Sequence, residues 1–186
     1  MNKAIFLDRD GTINVERNYL YRIQDFEFLP GVIDALRQLQ RAGFLLIVVT
    51  NQSGIGRGYY TEEDFNKLNK WMVEYLNNQG VVISDVYYCP HLPDATVRIY
   101  RKECECRKPK LGMYMQAVSE HNLDLSQSYA IGDKIRDCEI CKSTGCKGFL
   151  IGNNEKYKII QNVKAHKISN VTYCNDLYEC AKVIVG

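Results

Sequence analysis

Five short runs along the chain are almost wholly apolar: AIFL (4–7), FLLIVV (44–49), VYY (86–88), YAI (129–131) and GFLI (148–151). Runs this short, with no polar alternation, predict strands covered on both faces, as in a parallel sheet flanked by helices. Between them the period changes. Val32, Leu36 and Leu39 recur at i, i+4 and i+7, with Gly43 as a stop, and predict a helix. Thr61 with Asp64 three residues on is close to a capping box. The helix it opens carries Phe65, Leu68, Met72 and Leu76 on one face and ends at Gly80. Two more helices are predicted, from 111 to about 121 and from 135 to about 143. The order β-α-β-α-β-α-β-α-β implies right-handed crossovers and a three-layer, Rossmann-like α/β/α parallel sheet, read as a single domain over 1–186. Ligands of such folds bind beyond the carboxyl ends of the strands.

The chain has 186 residues, enough to bury a core without staples. Its 24 basic and 22 acidic residues nearly cancel, so no broad field favours nucleic acid or an anionic membrane. No apolar run reaches the roughly 18–20 residues that span a bilayer. MNKAIFLDRDG turns acidic too soon for a secretory signal. Eight cysteines without an export signal point to metal ligands and small core residues in a reducing cytoplasm, not to disulfides.

The first run leads straight into Asp8-Arg9-Asp10-Gly11-Thr12. Side chains alternate along extended backbone, so Asp8 and Asp10 can share one space, where two carboxylates call for a cation such as Mg²⁺. Asp133 follows another strand in GDKIRD, with Asp137 a turn later. A carboxylate at such a site can be a nucleophile, and a second can pass protons to and from the reacting oxygens. FLLIVV ends in Thr50-Asn51-Gln52-Ser53, and Lys108 lies in CRKPK, so hydroxyl, amide and cationic donors for a phosphoryl group are available. His121 at a helix end and His166 in a polar loop are read as bystanders. SGIGRG has glycines at 54, 56 and 58 but Tyr59 where a dinucleotide loop needs its third glycine, so no nucleotide cofactor is expected.

Cys89, His91, Cys104 and Cys106 are spaced C-x-H-x12-C-x-C. Three thiolates and one imidazole complete a tetrahedral zinc shell with no open position, the mark of a structural site in a loop over 89–106. Cys138 and Cys141 form a C-x-x-C, read as small core residues on a helix rather than a redox pair.

DRDGT, VVTNQSG, RKP and GDKIRD, in that order, resemble the four motifs of the haloacid dehalogenase superfamily of phosphohydrolases. The resemblance implies that fold, Asp8 as nucleophile and Asp10 as general acid/base. It implies that Thr50 and Lys108 stabilise the phosphoryl group, and that Mg²⁺ is held by Asp8, the Asp10 carbonyl and Asp133. Asp137 would stand behind them. The C-P-H and C-x-C-R-K-P pairs are similar to a zinc-bearing branch without a cap domain, shared by heptose bisphosphate phosphatases and histidinol-phosphate phosphatases. FLDRDGTIN, NQSGIGRGYYTEEDF and the twelve-residue zinc loop favour the heptose group. The activity implied is release of the 7-phosphate of D-glycero-D-manno-heptose 1,7-bisphosphate. Histidinol phosphate is the alternative substrate, and an inactive zinc-stabilised binding module the alternative class. Sugar and phosphate contacts carried over are Glu16, Arg17, Asn18, Tyr19, Asn51, Gln52, Ser53, Arg107 and Lys134, with Arg107 anchoring the distal anion. The partner is then a small sugar phosphate, with neither nucleic acid nor membrane, and a monomer suffices.

Overall fold

In the computed structural model, which describes residues 1–152 and 170–186, all five apolar runs are strands of one parallel sheet. The strands are β1 (Ala4–Leu7), β2 (Leu45–Asn51), β3 (Ile83–Cys89), β4 (Tyr129–Gly132), β5 (Lys147–Ile151) and β6 (Val171–Cys174). Their order across the sheet is β3-β2-β1-β4-β5-β6. The chain thus builds outward from β1 in one direction through β3, then returns to the other side of β1 with β4. That reversal opens a crevice at the carboxyl ends of β1 and β4, where doubly wound folds bind ligands.

Strands β1, β2, β4 and β5 are covered on both faces, which is why polar residues are missing from their middles. Ile5, Leu7, Leu46 and Val48 pack with α1 (Val32–Arg41), the Met72 and Leu76 end of α3 (Glu62–Asn78), and the last helix, α5 (Leu177–Val185). Ala4, Phe6, Ile47 and Val49 point the other way, onto α4 (Gly112–His121) and a 3-10 helix, Ile135–Lys142. The alternation of Ile5 and Leu7 against Ala4 and Phe6 is the two-residue period of a strand serving two cores. The capping box at Thr61 is present, with Asp64 N–H donating to Thr61 Oγ1 at 3.1 Å and Thr61 N–H to Asp64 Oδ2 at 2.9 Å.

Four local features depart from the pattern expected above. The helix over 135–143 is 3-10 rather than α. Residues 134 and 137 bond reciprocally, Asp137 N–H to the Lys134 carbonyl and Lys134 N–H to Asp137 Oδ2, both at 3.0 Å, which favours the three-residue turn. SGIGRG forms a short helix, α2 (Ser53–Arg57), that ends on Gly58 at φ 75°. A Cβ on Gly54 would lie 2.1 Å from the Tyr60 ring and one on Gly56 2.6 Å from the Pro90 carbonyl, so these glycines serve close packing. Strand β6 and helix α5 were not expected at all. VTYC is a short edge strand with half-exposed residues, too mixed to show a period, and α5 is signalled chiefly by Asp176, which accepts from Glu179 N–H at 2.8 Å. His166 lies outside the described residues.

Two long inserts leave the sheet at its carboxyl edge, residues 8–31 after β1 and residues 90–111 after β3, and neither holds a helix longer than three residues. Among the described residues no helix is long and apolar enough to cross a membrane.

Candidate active site

The crevice is a cleft of about 310 Å³ lined by Asp8, Asp10, Glu16, Asn18, Tyr19, Thr50, Asn51, Gln52, Ser53, Tyr60, Lys134 and Arg136. Ten of the residues expected from sequence therefore meet at one place. Arg17 does not line it, and is paired with Glu27 on the surface. Arg107 also lies outside the lining, with one guanidinium N–H donating to the His91 carbonyl at 3.3 Å.

Asp8 leaves the end of β1 and Asp8 N–H still donates to the Ile131 carbonyl of β4 at 3.0 Å, so its position is set by the sheet. Lys108 Nζ reaches down to it at 2.8 Å, and stands 2.7 Å from Asp137 Oδ1 as an ion pair and 2.6 Å from the Val49 carbonyl as a hydrogen bond. All three charged groups are buried. Burial lifts the Asp8 carboxyl to about 6, opposed by Lys108 and reinforced by Asp137. Burial likewise works against the Lys108 charge, but Asp137 and Asp8 outweigh it and hold the ammonium above its ordinary range. Buried charge on this scale is tolerated only when paired. Asp137 is thus more than a turn beyond Asp133: it shares the lysine with Asp8.

Asp10 is gripped from three sides. Arg9, fully buried, forks onto it at 2.9 Å, while Asn14 Nδ2 and Gln52 Nε2 each donate at 3.0 Å. Gln52 also donates to Thr50 Oγ1 at 2.9 Å and accepts from Tyr60 O–H at 2.6 Å. Gln52, expected as a substrate contact, lines the cleft and also orients Asp10 and Thr50 through its amide. Arg9, Asn14, Tyr60 and Arg136 were missed. The parity of DRD places Arg9 opposite the two aspartates, the one signal that could have marked it as their support. Asn18 and Tyr19 take positive φ values of 24° and 67°, strained for non-glycine residues and typical of a loop held in shape at a site.

Asp133, at the end of β4, brings a carboxylate oxygen within 4.8 Å of those of Asp8 and Asp137. Its Oδ1 is buried without a partner, and its other oxygen contacts Lys134. A Cβ on Gly11 would stand 2.6 Å from Asp133 Oδ2, so only glycine leaves this carboxylate its place. An orphaned carboxylate oxygen beside two further carboxylates fits a hard divalent cation. On the far side of Lys108, the Sγ atoms of Cys89, Cys104 and Cys106 lie 3.1–3.6 Å apart, with His91 Nδ1 3.2 Å from Cys106 Sγ. Those spacings are too long for disulfides and slightly inside the roughly 3.8 Å edge of a tetrahedral thiolate shell with zinc–sulfur bonds of about 2.3 Å. The donor set suits zinc.

A family model described as polynucleotide kinase 3 phosphatase matches residues 3–172. The D-glycero-beta-D-manno-heptose-1,7-bisphosphate 7-phosphatase of Haemophilus ducreyi is 49% identical over 146 residues, 78% of this chain and 80% of that one. The enzyme of the same name from Yersinia pestis is 52% identical over 136 residues, 73% of this chain and 72% of its own. Among solved structures, the D,D-heptose 1,7-bisphosphate phosphatase of B. bronchiseptica, complexed with magnesium and phosphate, superposes with a TM-score of 0.82 at 28% identity, covering 100% of this chain and 98% of that one. The chain belongs to the D-glycero-beta-D-manno-heptose-1,7-bisphosphate 7-phosphatase family, within the haloacid dehalogenase superfamily.

Proposed function

We propose that this protein is a magnesium-dependent phosphatase that removes the 7-phosphate of D-glycero-D-manno-heptose 1,7-bisphosphate through an aspartyl-phosphate on Asp8. The observation that carries the reading is Asp8 itself: a buried carboxylate lining the cleft, paired with Lys108 and within 4.8 Å of a carboxylate oxygen of Asp133. The β anomer is the one named for the curated relatives.

In the first half-reaction an Asp8 oxygen attacks phosphorus, and the P–O bond to the sugar breaks. Asp10, aimed by Arg9, Asn14 and Gln52, gives its proton to the departing alkoxide. In the second, Asp10 takes a proton from water, which attacks the same phosphorus and frees Asp8. Lys108 and Thr50 face the phosphoryl oxygens, and burial lets the lysine charge act at low dielectric. Asp8, Asp133 and the Asp10 carbonyl would hold magnesium, which would supply charge neutralisation at the phosphoryl group. Asp137 keeps Lys108 charged and in place.

Zinc at Cys89, His91, Cys104 and Cys106 is structural in this reading, because the four donors leave no open position. It ties residues 89–106 down immediately before Lys108. Thiolate ligands presuppose a reducing compartment, which supports a cytoplasmic enzyme.

The test is kcat/KM across both anomers of heptose 1,7-bisphosphate, histidinol phosphate, fructose 1,6-bisphosphate and a 3′-phosphorylated oligonucleotide. The heptose bisphosphate, β anomer first, is expected to lead by at least tenfold. A lead by histidinol phosphate or the oligonucleotide would overturn the substrate assignment. Lys134 and Arg136 in the cleft wall weigh against a substrate bearing an ammonium group.

A further inference from the structure

The cleft wall carries two cations, Lys134 and Arg136, and they are not equivalent. Lys134 contacts the Asp133 carboxylate, and its charge also bears on Glu16, which lines the wall. Arg136 has no ion pair and no hydrogen bond among the described residues, and its Nε is buried without a partner. A guanidinium presents five donors and cannot shed its proton, so a buried, unanswered Nε is a site waiting for an acceptor. The positive charge there is compounded: Arg57 and Arg107 stand near enough for Arg136 and Arg57 to repel the Arg107 charge. Arg57 Nε too is buried without a partner. The carboxylate whose charge does reach Arg136 is Asp133, one 3-10 turn earlier, and that group faces the cation position beside Asp8.

From the lining of the cleft and the unanswered guanidinium, we propose that Arg136 binds the phosphate that is not hydrolysed, and so sets the preference for a sugar bisphosphate over a monophosphate. This rests on the functional reading above and deepens it. Arg107, outside the lining, contributes charge to the same region while its own N–H is engaged by His91. A forked guanidinium suits a phosphate bidentately, whereas a sugar hydroxyl would leave most of its donors and its charge unanswered.

The experiment compares heptose 1,7-bisphosphate with heptose 7-phosphate, which lacks only the distal phosphate, in wild type, Arg136→Gln and Arg136→Lys. The quantity read is the ratio of kcat/KM for the bisphosphate over the monophosphate. Arg136→Gln is expected to lower that ratio by about tenfold or more, mainly through KM for the bisphosphate, the scale of one charged hydrogen bond lost. Arg136→Lys should recover part of it. A wild type that prefers the bisphosphate, with the same ratio in Arg136→Gln, overturns the inference alone. So does an Arg136→Gln chain that fails to fold, because the residue would then be structural. Wild type inactive on both heptose phosphates would overturn the functional reading and the inference with it.

Discussion

Asn51 holds the backbone of Lys108 at both ends of the residue: its Nδ2 donates to the Lys108 carbonyl and its Oδ1 accepts from Lys108 N–H, each at 3.0 Å. Asn51 ends β2 and Lys108 follows the zinc loop, 57 residues later. Lys108 is thus latched to the sheet by its main chain before its side chain reaches Asp8. Asn51→Ala is expected to fold, and to lower kcat by about tenfold or more while shifting KM less, since removing one positioning contact misplaces the reacting groups. Steady-state kinetics alongside a melting curve separates this from a simple loss of stability. A variant with full kcat would show that the latch is dispensable.

Removing the lysine itself should do more damage. Lys108→Met leaves Asp8 and Asp137 buried beside each other without their shared cation, and loss of one partner of a buried pair typically costs about 3–5 kcal/mol. Turnover should fall by more than about a hundredfold. Lys108→Arg should not rescue it, because the planar guanidinium does not fit a site built for a compact ammonium. Denaturant unfolding and kinetics of both variants are the check.

Asp8 gives a pH signature. Its folded-state value is raised from 3.8 to about 6 by burial, so the ionised form opposes the fold. The opposition is absent well below pH 4, where the group is protonated folded or unfolded, grows as pH rises from about 4 to 6, and is full above that. Asp8→Asn removes it. Without added magnesium, the variant is expected to be more stable than wild type at about pH 8, by roughly 2–3 kcal/mol, with the gap closing toward pH 4. It should show no turnover. An active Asp8→Asn enzyme would rule out the aspartyl-phosphate.

For residues 89–106, the wild type is expected to carry one zinc per chain, and Cys104→Ser to carry less and to melt lower. The drop should exceed about 5 °C, since a single kcal/mol moves a domain of this size by only about 2–4 °C. Metal analysis and calorimetry report both. A variant that kept its zinc and its melting point but lost activity would make the metal catalytic rather than structural.

Much of this site could be read from the chain because its determinants are local. Strands buried on both faces had to be continuous apolar runs, so β1 to β5 stood out, and Asp8, Thr50 and Asp133 fall where those runs end. Cys89, His91, Cys104 and Cys106 come as two tight pairs whose suitability for zinc is legible without a fold. Weakly patterned pieces were not legible: β6, half exposed at the sheet edge, and the 3-10 turn, which depends on reciprocal bonds between residues 134 and 137.

Tertiary structure decided which polar groups face substrate and which hold others in place. Asn51 and Gln52 line the cleft, and only the fold shows that the first also latches Lys108 and the second also aims Asp10. Arg9 was invisible because a buried arginine makes sense only once its fork onto Asp10 is seen. Arg107 and Arg136 are both arginines near motif residues, and only the path of the backbone puts Arg136 in the cleft wall and leaves Arg107 outside it. Sequence spacing reports which face of its own strand or turn a residue occupies. Which distant residue meets that face depends on how the strands are ordered, and that order, with β4 returning beside β1, is a property of the packed sheet.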